Sequence, residues 1–247
     1  MRIIGIDTST AAGGVALAES GRLVAEYTLQ LTATHSERLM PALQQVMADA
    51  GWEGSSVDAI AVVLGPGSFT GLRIGVATAK ALAYTWQIPV VGVSALTALA
   101  WQVGWAGQVV VPMVDARRQT VYTQVFTGLG SGEPTDSPAD PSPGPQPLGE
   151  PGQVAVKDLL EQLEAQYGST SIVVAGDGAL RNLELLKPFI QAGKITIPPG
   201  SGALLRAAAV VEVGQEYLRK GVTTDPMTLV PLYLRKSEAE IKWEACQ

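Results

Sequence analysis

The chain has 247 residues, of which 47% are hydrophobic and 16% are charged, with a single cysteine and a single histidine. It contains no apolar run of about 18 residues, the length that a membrane-spanning helix needs. Its net charge is −6, and no cluster of Lys and Arg along the sequence predicts that the isolated chain binds a nucleic acid. One cysteine excludes an internal disulfide framework, and one histidine excludes any site built on two imidazoles. No secretory signal follows Met1, so we expect a cytoplasmic protein with one large or two small domains.

The first half of the chain is predicted to form a meander of strands followed by alternating helices and strands. Turn residues divide residues 2–30 into three strands. Helical spacing of apolar residues then predicts an amphipathic helix over Ser36–Ala50 and a second helix over Phe69–Trp86. The other predicted elements are the strands Ala59–Leu64 and Pro89–Val93 and the short helix Ala95–Val103.

The second half opens in the same way as the first. Each half begins with a buried strand that ends in an aspartate, Asp7 in one and Asp115 in the other, and each continues into a returning strand, which is Thr120–Thr127 in the second half. We therefore predict a duplicated α/β unit. The later elements are predicted as helix Ala155–Tyr167, strand Ile172–Ala175, helices Ala179–Pro188 and Gly202–Lys220, and an extended tail Leu229–Arg235.

A proline-rich stretch interrupts the second half. Residues 128–152 hold seven prolines and almost no large apolar side chain, so this stretch can form neither a helix nor a central strand. A solvated loop is the favoured interpretation, and a proline-motif docking site is the alternative.

The helix predicted over Phe69–Trp86 carries a stripe of very small residues. Gly71, Gly75, Ala79 and Ala83 recur every four residues and therefore share one face. An interior glycine destabilises a helix by roughly 1 kcal/mol relative to alanine, so we expect close backbone packing to compensate for it. Two interpretations stay open: the stripe packs on the protein's own sheet, or it packs on a helix of a partner.

Two strand ends carry polar residues that suit phosphate chemistry. Asp7, Thr8 and Ser9 end the first strand, where a nucleotide phosphate or its metal ion commonly meets a sheet; a strand-ending turn capped by Asp7 is the equally weighted alternative. Asp115 is followed by Arg117 and Arg118, which could clamp an anion or form structural ion pairs. Both questions stay open at this point.

The glycine-rich turn before the second helix lacks the ending of a P-loop. No lysine follows the glycines of Gly65–Gly71, so Ser68 is predicted to cap the helix, and a phosphate contact at the helix N-terminus is the minor alternative. His35 has no second histidine or internal cysteine to work with, and a structural hydrogen bond is expected for it.

Several segments are similar to those of one bacterial family. These are IDTST, THSERLMPALQQVM, GPGSFTGLRIGVATAKALA, VVGVSALTALA, VDARRQTVY and the terminal PLYLRKS. They resemble the TsaB (YeaZ) family, whose members are needed for threonylcarbamoyladenosine at position 37 of tRNA. The resemblance covers nearly the whole chain except the proline-rich stretch 128–152.

The resemblance implies a fold of two tandem actin-like ATPase (ASKHA, ribonuclease H-like) subdomains. It divides the chain into 1–104 and 105–247, with the proline-rich insert in the second part. The catalytic relative TsaD binds a metal through a His-His-x-x-x-His stretch after the strand that corresponds to Pro89–Val93. Here Ser94, Ala95 and Leu99 stand at those three positions, so the resemblance implies no metal ligand.

The resemblance implies that the chain is a non-catalytic partner of TsaD in forming N6-threonylcarbamoyladenosine at position 37 of tRNAs that read codons beginning with A. It also implies that the ATPase TsaE joins the two proteins. Family members form a homodimer when alone, and we expect tRNA contact only through the complex. We expect no cofactor of its own, with ATP or ADP bound only within the complex. The partner surface is predicted on the two long helices of the first half, at Gly71, Arg73, Gly75, Val76, Ala79, Ala83, Leu39, Leu43 and Met47.

An ATPase or small-molecule kinase of the same fold is the alternative function. In that case Asp7 and Asp115 position a metal nucleotide, with Asp7, Thr8 and Ser9 as its contacts, and Ala175–Ala179 is a remnant of an adenosine-binding loop. As a partner protein, the chain would keep these contacts only as vestiges. An endopeptidase is disfavoured because the sequence shows no metal site and no nucleophile–base pair.

Overall fold

A computed structural model describes residues 1–30, 35–104, 108–127 and 144–234 of the chain. The side chain of His35 lies outside this description, so its predicted hydrogen bond is untested. In chain order the first half contains β1 (Arg2–Asp7), β2 (Ala12–Glu19), β3 (Arg22–Gln30), α1 (His35–Asp49), β4 (Ala59–Gly65), α2 (Phe69–Trp86), β5 (Val90–Ser94) and α3 (Ala95–Val103). These elements match the predicted ones closely.

The second half has more and shorter elements. They are β6 (Val109–Asp115), β7 (Thr120–Thr123), β8 (Phe126–Thr127), β9 (Gln146–Pro147), β10 (Gly152–Ala155), α4 (Val156–Tyr167), β11 (Ile172–Ala175), α5 (Asp177–Arg181), α6 (Leu183–Gln191), β12 (Ile195–Thr196) and α7 (Ala207–Arg219).

The two sheets have the same topology. The first has the strand order β3-β2-β1-β4-β5, and the main path of the second is β10-β7-β6-β11-β12. In each sheet the first three strands of the path pair antiparallel, and the last two join in parallel. Matching β6 with β1 makes the two orders identical, so the predicted duplication is confirmed, and Asp7 and Asp115 end equivalent strands.

The helices α3 and α7 lie at the centre of the molecule and join its halves. A Cβ built on Gly5 in β1 would lie 2.8 Å from the carbonyl oxygen of Ala207, and one on Gly214 would lie 2.5 Å from the Cβ of Ala61. Glycine is required here because α7 of the second half packs directly on the first sheet. The resulting core cluster includes Leu96 of α3 and residues from both sheets. Two further cores lie under α1 and α2 and under α4 and α6.

The end of the chain returns to the first half. Thr224 forms a bridge with Val90, Leu229 is buried beside the core under α1 and α2, and Leu232 donates its backbone N–H to Leu64 O at 2.8 Å. Residues 222–234 are called the C-terminal segment below. The predicted division into 1–104 and 105–247 stays a prediction, although this segment of the second part packs on the first.

The prediction of one continuous strand over Thr120–Thr127 is wrong. Residues 120–123 and 126–127 form β7 and β8, which both pair with β6 in one continuous register. The gap lies opposite Pro112, which has no N–H group to donate to a partner strand. A proline in a buried apolar strand therefore explains the break.

The other differences concern element ends. The helix predicted over Ala179–Pro188 is divided into α5 and α6 at Asn182, whose side chain turns back to donate to Gly178 O at 2.8 Å. The helix predicted over Gly202–Lys220 begins only at Ala207, after a short 3-10 turn. The tail is not part of a described strand, and Arg235 lies outside the described residues.

The proline-rich stretch is described only in part. Residues 128–143 lie outside the description, and residues 144–152 contribute β9 and the start of β10. Strand β9 pairs only with β8 in the described part of the chain, in agreement with the prediction that this stretch forms no central strand. Among the described residues, no helix combines the length and the apolar character of a membrane span.

Candidate functional site

The stripe of small residues on α2 lies directly on the end of β1. A Cβ built on Gly71 would lie 1.9 Å from the carbonyl oxygen of Thr8, and one on Gly75 would lie 2.4 Å from Thr8 Oγ1. The same Thr8 hydroxyl donates a hydrogen bond to Gly71 O at 2.7 Å. Packing on the protein's own sheet is therefore the correct interpretation of the stripe, and its packing on a partner's helix is wrong.

Most residues of the predicted partner surface are buried by the same packing. Gly71 and Gly75 are covered by Thr8, and the core under α1 and α2 takes in the buried side chains of Val76, Ala79, Ala83, Leu39 and Leu43. Met47 is partly buried against that core, and Arg73 is exposed. The prediction was wrong for the buried residues because apolar spacing identifies a packing face without showing whether the sheet or a partner covers it.

The end of β1 is closed by the turn that precedes α2. Asp7, Thr8 and Ser9 are only 1%, 3% and 1% exposed. Asp7 Oδ1 accepts hydrogen bonds from the backbone N–H and the hydroxyl of Ser9, at 2.8 and 2.6 Å. Ser9 O in turn accepts from Ser68 N at 2.6 Å, and Gly67 packs against Ser9. A phosphate could reach Asp7 only if this turn moved away.

Ser68 caps α2 as predicted. Its Oγ accepts a hydrogen bond from Gly71 N at 3.3 Å. The hydroxyl thus satisfies one of the N–H groups that the first turn of a helix leaves unpaired.

One side of α2 is covered by the C-terminal segment. The Tyr233 ring stacks on Phe69 with 4.1 Å between ring centroids, and Arg73 Nε donates to the Tyr233 hydroxyl at 3.1 Å. Further along the helix, Lys80 Nζ donates to the carbonyl oxygens of Met227 and Leu229 at 3.2 and 3.1 Å. The segment therefore runs antiparallel to α2 and is anchored at both ends.

The face of α2 opposite the small stripe is open. Its exposed residues follow helical spacing and are called the outer stripe: Thr70, Arg73, Ala77, Ala81 and Tyr84. Tyr84 is 62% exposed, and Met40 of the neighbouring α1 is also exposed. Of the predicted partner residues, Arg73 alone belongs to this stripe. Helical spacing could have identified Arg73, because it lies on the face opposite the small residues and that face stays exposed when the small residues are buried.

The end of β6 differs from the equivalent end of β1. Asp115 Oδ2 pairs with Arg181 Nη1 at 3.2 Å, and Asp115 Oδ1 accepts from the backbone N–H of Arg117 at 3.0 Å. Asp115 N donates to Asp177 Oδ1, also at 3.0 Å. The guanidinium that pairs with Asp115 is thus that of Arg181, which sequence reasoning missed because α5 lies about 60 residues further along the chain.

Asp177 has an altered titration. Burial raises the pKa of its carboxyl above the ordinary 3.8, and the nearby Asp115 charge also raises it, while the hydrogen bond from Asp115 N and the Arg181 charge act in the opposite direction. The folded chain therefore keeps this carboxyl protonated to a higher pH than the unfolded chain does.

The three positions at which the resemblance implied the loss of metal ligands hold packing residues. Ser94 caps α3 by accepting from Thr97 N at 3.4 Å, and Ala95 and Leu99 are buried in the central core. These side chains hold α3 between the sheets.

Comparisons with known proteins place the chain in a family. A family model described as TsaD, tRNA N6-adenosine threonylcarbamoyltransferase, matches residues 24–243. Over 246 residues the chain is 31% identical to the tRNA threonylcarbamoyladenosine biosynthesis protein TsaB of Bacillus subtilis (strain 168), and the match covers 98% of each protein. The chain belongs to the TsaB (YeaZ) family. It also falls within the wider TsaD family that the matching model describes.

Solved structures agree with membership of the TsaB (YeaZ) family. YeaZ from Pseudomonas aeruginosa superposes with a TM-score of 0.70 and 26% identity, over 94% of this chain and 99% of that one. The activator of the 2-hydroxyisocaproyl-CoA dehydratase from Clostridium difficile, with bound ADPNP, reaches a TM-score of 0.51 at 12% identity over 91% and 99% of the two chains, and this likeness concerns the fold alone. The predicted architecture of two actin-like subdomains is confirmed.

The contact between Gly71 and Thr8 leads to a stability prediction for this TsaB-family chain. The Gly71→Ala substitution places a methyl group against a backbone carbonyl that cannot rotate away, so we expect the free energy of unfolding to fall by about 3 kcal/mol in urea titrations. Gly152→Ala is the matched control, because nothing lies within 4 Å of its added Cβ. A Gly71→Ala variant as stable as the control would contradict the described packing.

The raised pKa of Asp177 leads to a pH prediction. The folded chain holds this proton more tightly than the unfolded chain, so the associated stabilisation is present at low pH and is lost as the pH rises from 3.8 through the raised pKa. In Asp177→Asn the side-chain oxygen can still accept from Asp115 N but cannot ionise. We therefore expect the stability of the variant relative to the native chain to increase with pH over this window and then level off.

Urea unfolding of both proteins between about pH 4 and pH 7 measures this difference. Glu161→Gln, an exposed carboxyl on α4, serves as control and is expected to follow the native chain. Parallel curves of unfolding free energy against pH for Asp177→Asn and the native chain would show that burial does not raise the pKa of Asp177.

Proposed function

We propose that this chain is the non-catalytic partner of a TsaD-type transferase in forming N6-threonylcarbamoyladenosine at position 37 of tRNAs that read codons beginning with A. Near full-length similarity to a protein named for this biosynthesis supports the pathway. The observation that carries the non-catalytic role is the stretch at the start of α3. Ser94 there is a helix cap, and Ala95 and Leu99 are core residues, so the positions of the transferase's metal ligands serve packing instead.

The partner surface in this proposal is the outer stripe of α2 together with the exposed side of α1. The small side chains of Ala77 and Ala81 allow a partner helix to approach closely, and the exposed ring of Tyr84 is suited to anchor it. Met40 of α1 adds an exposed apolar side chain. We propose that the same surface forms the homodimer when the chain is alone and that TsaE joins after the transferase.

The proposal assigns no cofactor to the isolated chain, and places ATP or ADP only within the complex. It is supported by the closed end of β1, where the Gly65–Ser68 turn covers Asp7, Thr8 and Ser9. The same closure disfavours the ATPase or kinase alternative, since its nucleotide would have to contact those residues. In this proposal tRNA is bound only through the complex, and the protein works in the cytoplasm, where the transferase meets its tRNA substrate.

Calorimetric titration of the isolated chain with ATP and magnesium distinguishes the two functions. We expect no binding in the micromolar range and no hydrolysis, because the end of β1 is inaccessible. Micromolar binding with turnover, abolished by Asp7→Asn, would instead support the ATPase or kinase.

The partner surface leads to a binding prediction. Tyr84→Glu places a charge on the outer stripe, and we expect it to weaken the complex with the transferase by about 30-fold, or about 2 kcal/mol. Leu183→Glu is the control, because Leu183 is likewise exposed but lies at the first turn of α6 in the second half. Calorimetry measures affinity, and thermal unfolding checks that both variants fold. Equal affinities for the two variants would show that the outer stripe does not bind the transferase.

A further inference from the structure

The turn between β6 and β7 has an unusual backbone. Arg117, Arg118 and Gln119 all have left-handed conformations, with φ values of +66°, +51° and +56°. For residues with a side chain this conformation costs roughly 1 kcal/mol or more each, and glycine or asparagine adopts it more readily. Three such residues in succession require support from the surrounding structure.

That support comes from hydrogen bonds around the turn. The backbone N–H of Arg117 donates to Asp115 Oδ1, and Thr120 N donates to Arg117 O at 2.9 Å. The first residue of α4, Val156, donates its N–H to Gln119 O at 3.0 Å. These bonds hold the backbone of the turn, and none of them uses an arginine side chain. The fold therefore does not explain why arginines occupy the left-handed positions.

The turn forms a positively charged surface in an acidic protein. The side chains of Arg117 and Arg118 are exposed and form no ion pair with any residue that the structure describes. A third guanidinium, that of Arg181, is 62% exposed and reaches the same place through its contact with Asp115. These three residues are called the arginine patch.

The acidic groups nearby do not cancel this charge. The side chain of Asp115 is only 13% exposed and is already paired with Arg181. Asp177 Oδ1 accepts the hydrogen bond of Asp115 N, so at this strand end the three guanidinium groups of the patch face only these two carboxylates of the described residues. On α4, Lys157 and Asp158 are both exposed and offset each other. The arginine patch therefore keeps a local positive charge although the whole chain carries −6.

We propose that the arginine patch contacts the phosphate backbone of tRNA in the complex formed with the transferase. This inference rests on the proposed function. Guanidinium groups bind phosphate oxygens through paired, charge-assisted hydrogen bonds, and a turn whose backbone is already held by hydrogen bonds loses less entropy when the contact forms. The patch lies on the second half, whereas the outer stripe lies on α2 of the first half, so a transferase bound at the outer stripe leaves the patch available.

The alternative ligand for the arginine patch is an acidic surface of a protein partner. The observations favour RNA, because the relative named above serves tRNA modification and the patch is separate from the proposed protein surface. The net charge of the chain explains why the patch would add affinity within a complex without making the isolated chain an RNA-binding protein.

The test uses the assembled complex and an unmodified tRNA transcript. Arg117→Gln combined with Arg118→Gln removes two charges and keeps long polar side chains. We expect tRNA affinity, measured by filter binding, to fall about 10-fold and the slope of log K against log salt to decrease by between about 1 and 2. Arg22→Gln, an exposed arginine of the first half, is the matched control and leaves both quantities unchanged.

Three outcomes would overturn the proposal. The first is unchanged tRNA affinity and salt dependence in the double variant. The second is loss of complex assembly in the double variant while the Arg22→Gln complex still forms, which would assign the patch to an acidic surface of the protein partner. The third is failure of the unaltered chain to assemble with the transferase, in which case the proposed function fails and this inference falls with it. Size-exclusion chromatography separates the third outcome from the others.

A second measurement does not depend on the folding of a variant. The unaltered complex is treated with an arginine-specific dicarbonyl reagent, with and without tRNA, and the modified residues are identified by mass spectrometry. We expect tRNA to protect Arg117 and Arg118 at least about five-fold while Arg22 reacts at the same rate. Equal modification of the arginine patch with and without tRNA would overturn the proposal.

Discussion

At Gly71 and Gly75 the backbone of α2 approaches Thr8 so closely that no side chain fits between them. This contact sets the position of α2 on β1, and with it the position of the turn that covers Asp7 and Ser9. Because a helix that buries one stripe exposes the opposite one, the contact also decides that the outer stripe faces the solvent. The closed strand end and the proposed partner surface therefore have one common cause.

The two halves share a topology but differ at their equivalent strand ends. Asp7 is covered by the turn before α2, whereas Asp115 keeps partial exposure and pairs with Arg181. The difference arises because the region that follows β11 is a short α5, without the long glycine-bearing helix that closes the first half. Duplication thus supplied two similar frameworks, and local packing gave them different surfaces.

The two proposed binding surfaces, the outer stripe and the arginine patch, lie on different halves of the protein. The outer stripe on α2 combines the small side chains of Ala77 and Ala81 with the exposed ring of Tyr84, which suits a helix of a protein partner. The arginine patch is charged, and hydrogen bonds hold the backbone of its turn, which suits contacts to phosphate groups. Since α3 and α7 connect the halves through one continuous core, both surfaces have fixed positions on a single body, as the proposed function in a complex with a transferase and tRNA requires.

The sequence by itself determined the duplicated unit, the extent of α2, its Ser68 cap and the resemblance to the TsaB (YeaZ) family, because local periodicity, capping and motifs are properties of neighbouring residues. The tertiary structure alone decided that Thr8 covers Gly71, that Pro112 divides the returning strand, and that Arg181 reaches Asp115. These contacts join residues far apart in the chain. Spacing shows that a face will be buried, but only the packed chain shows what buries it.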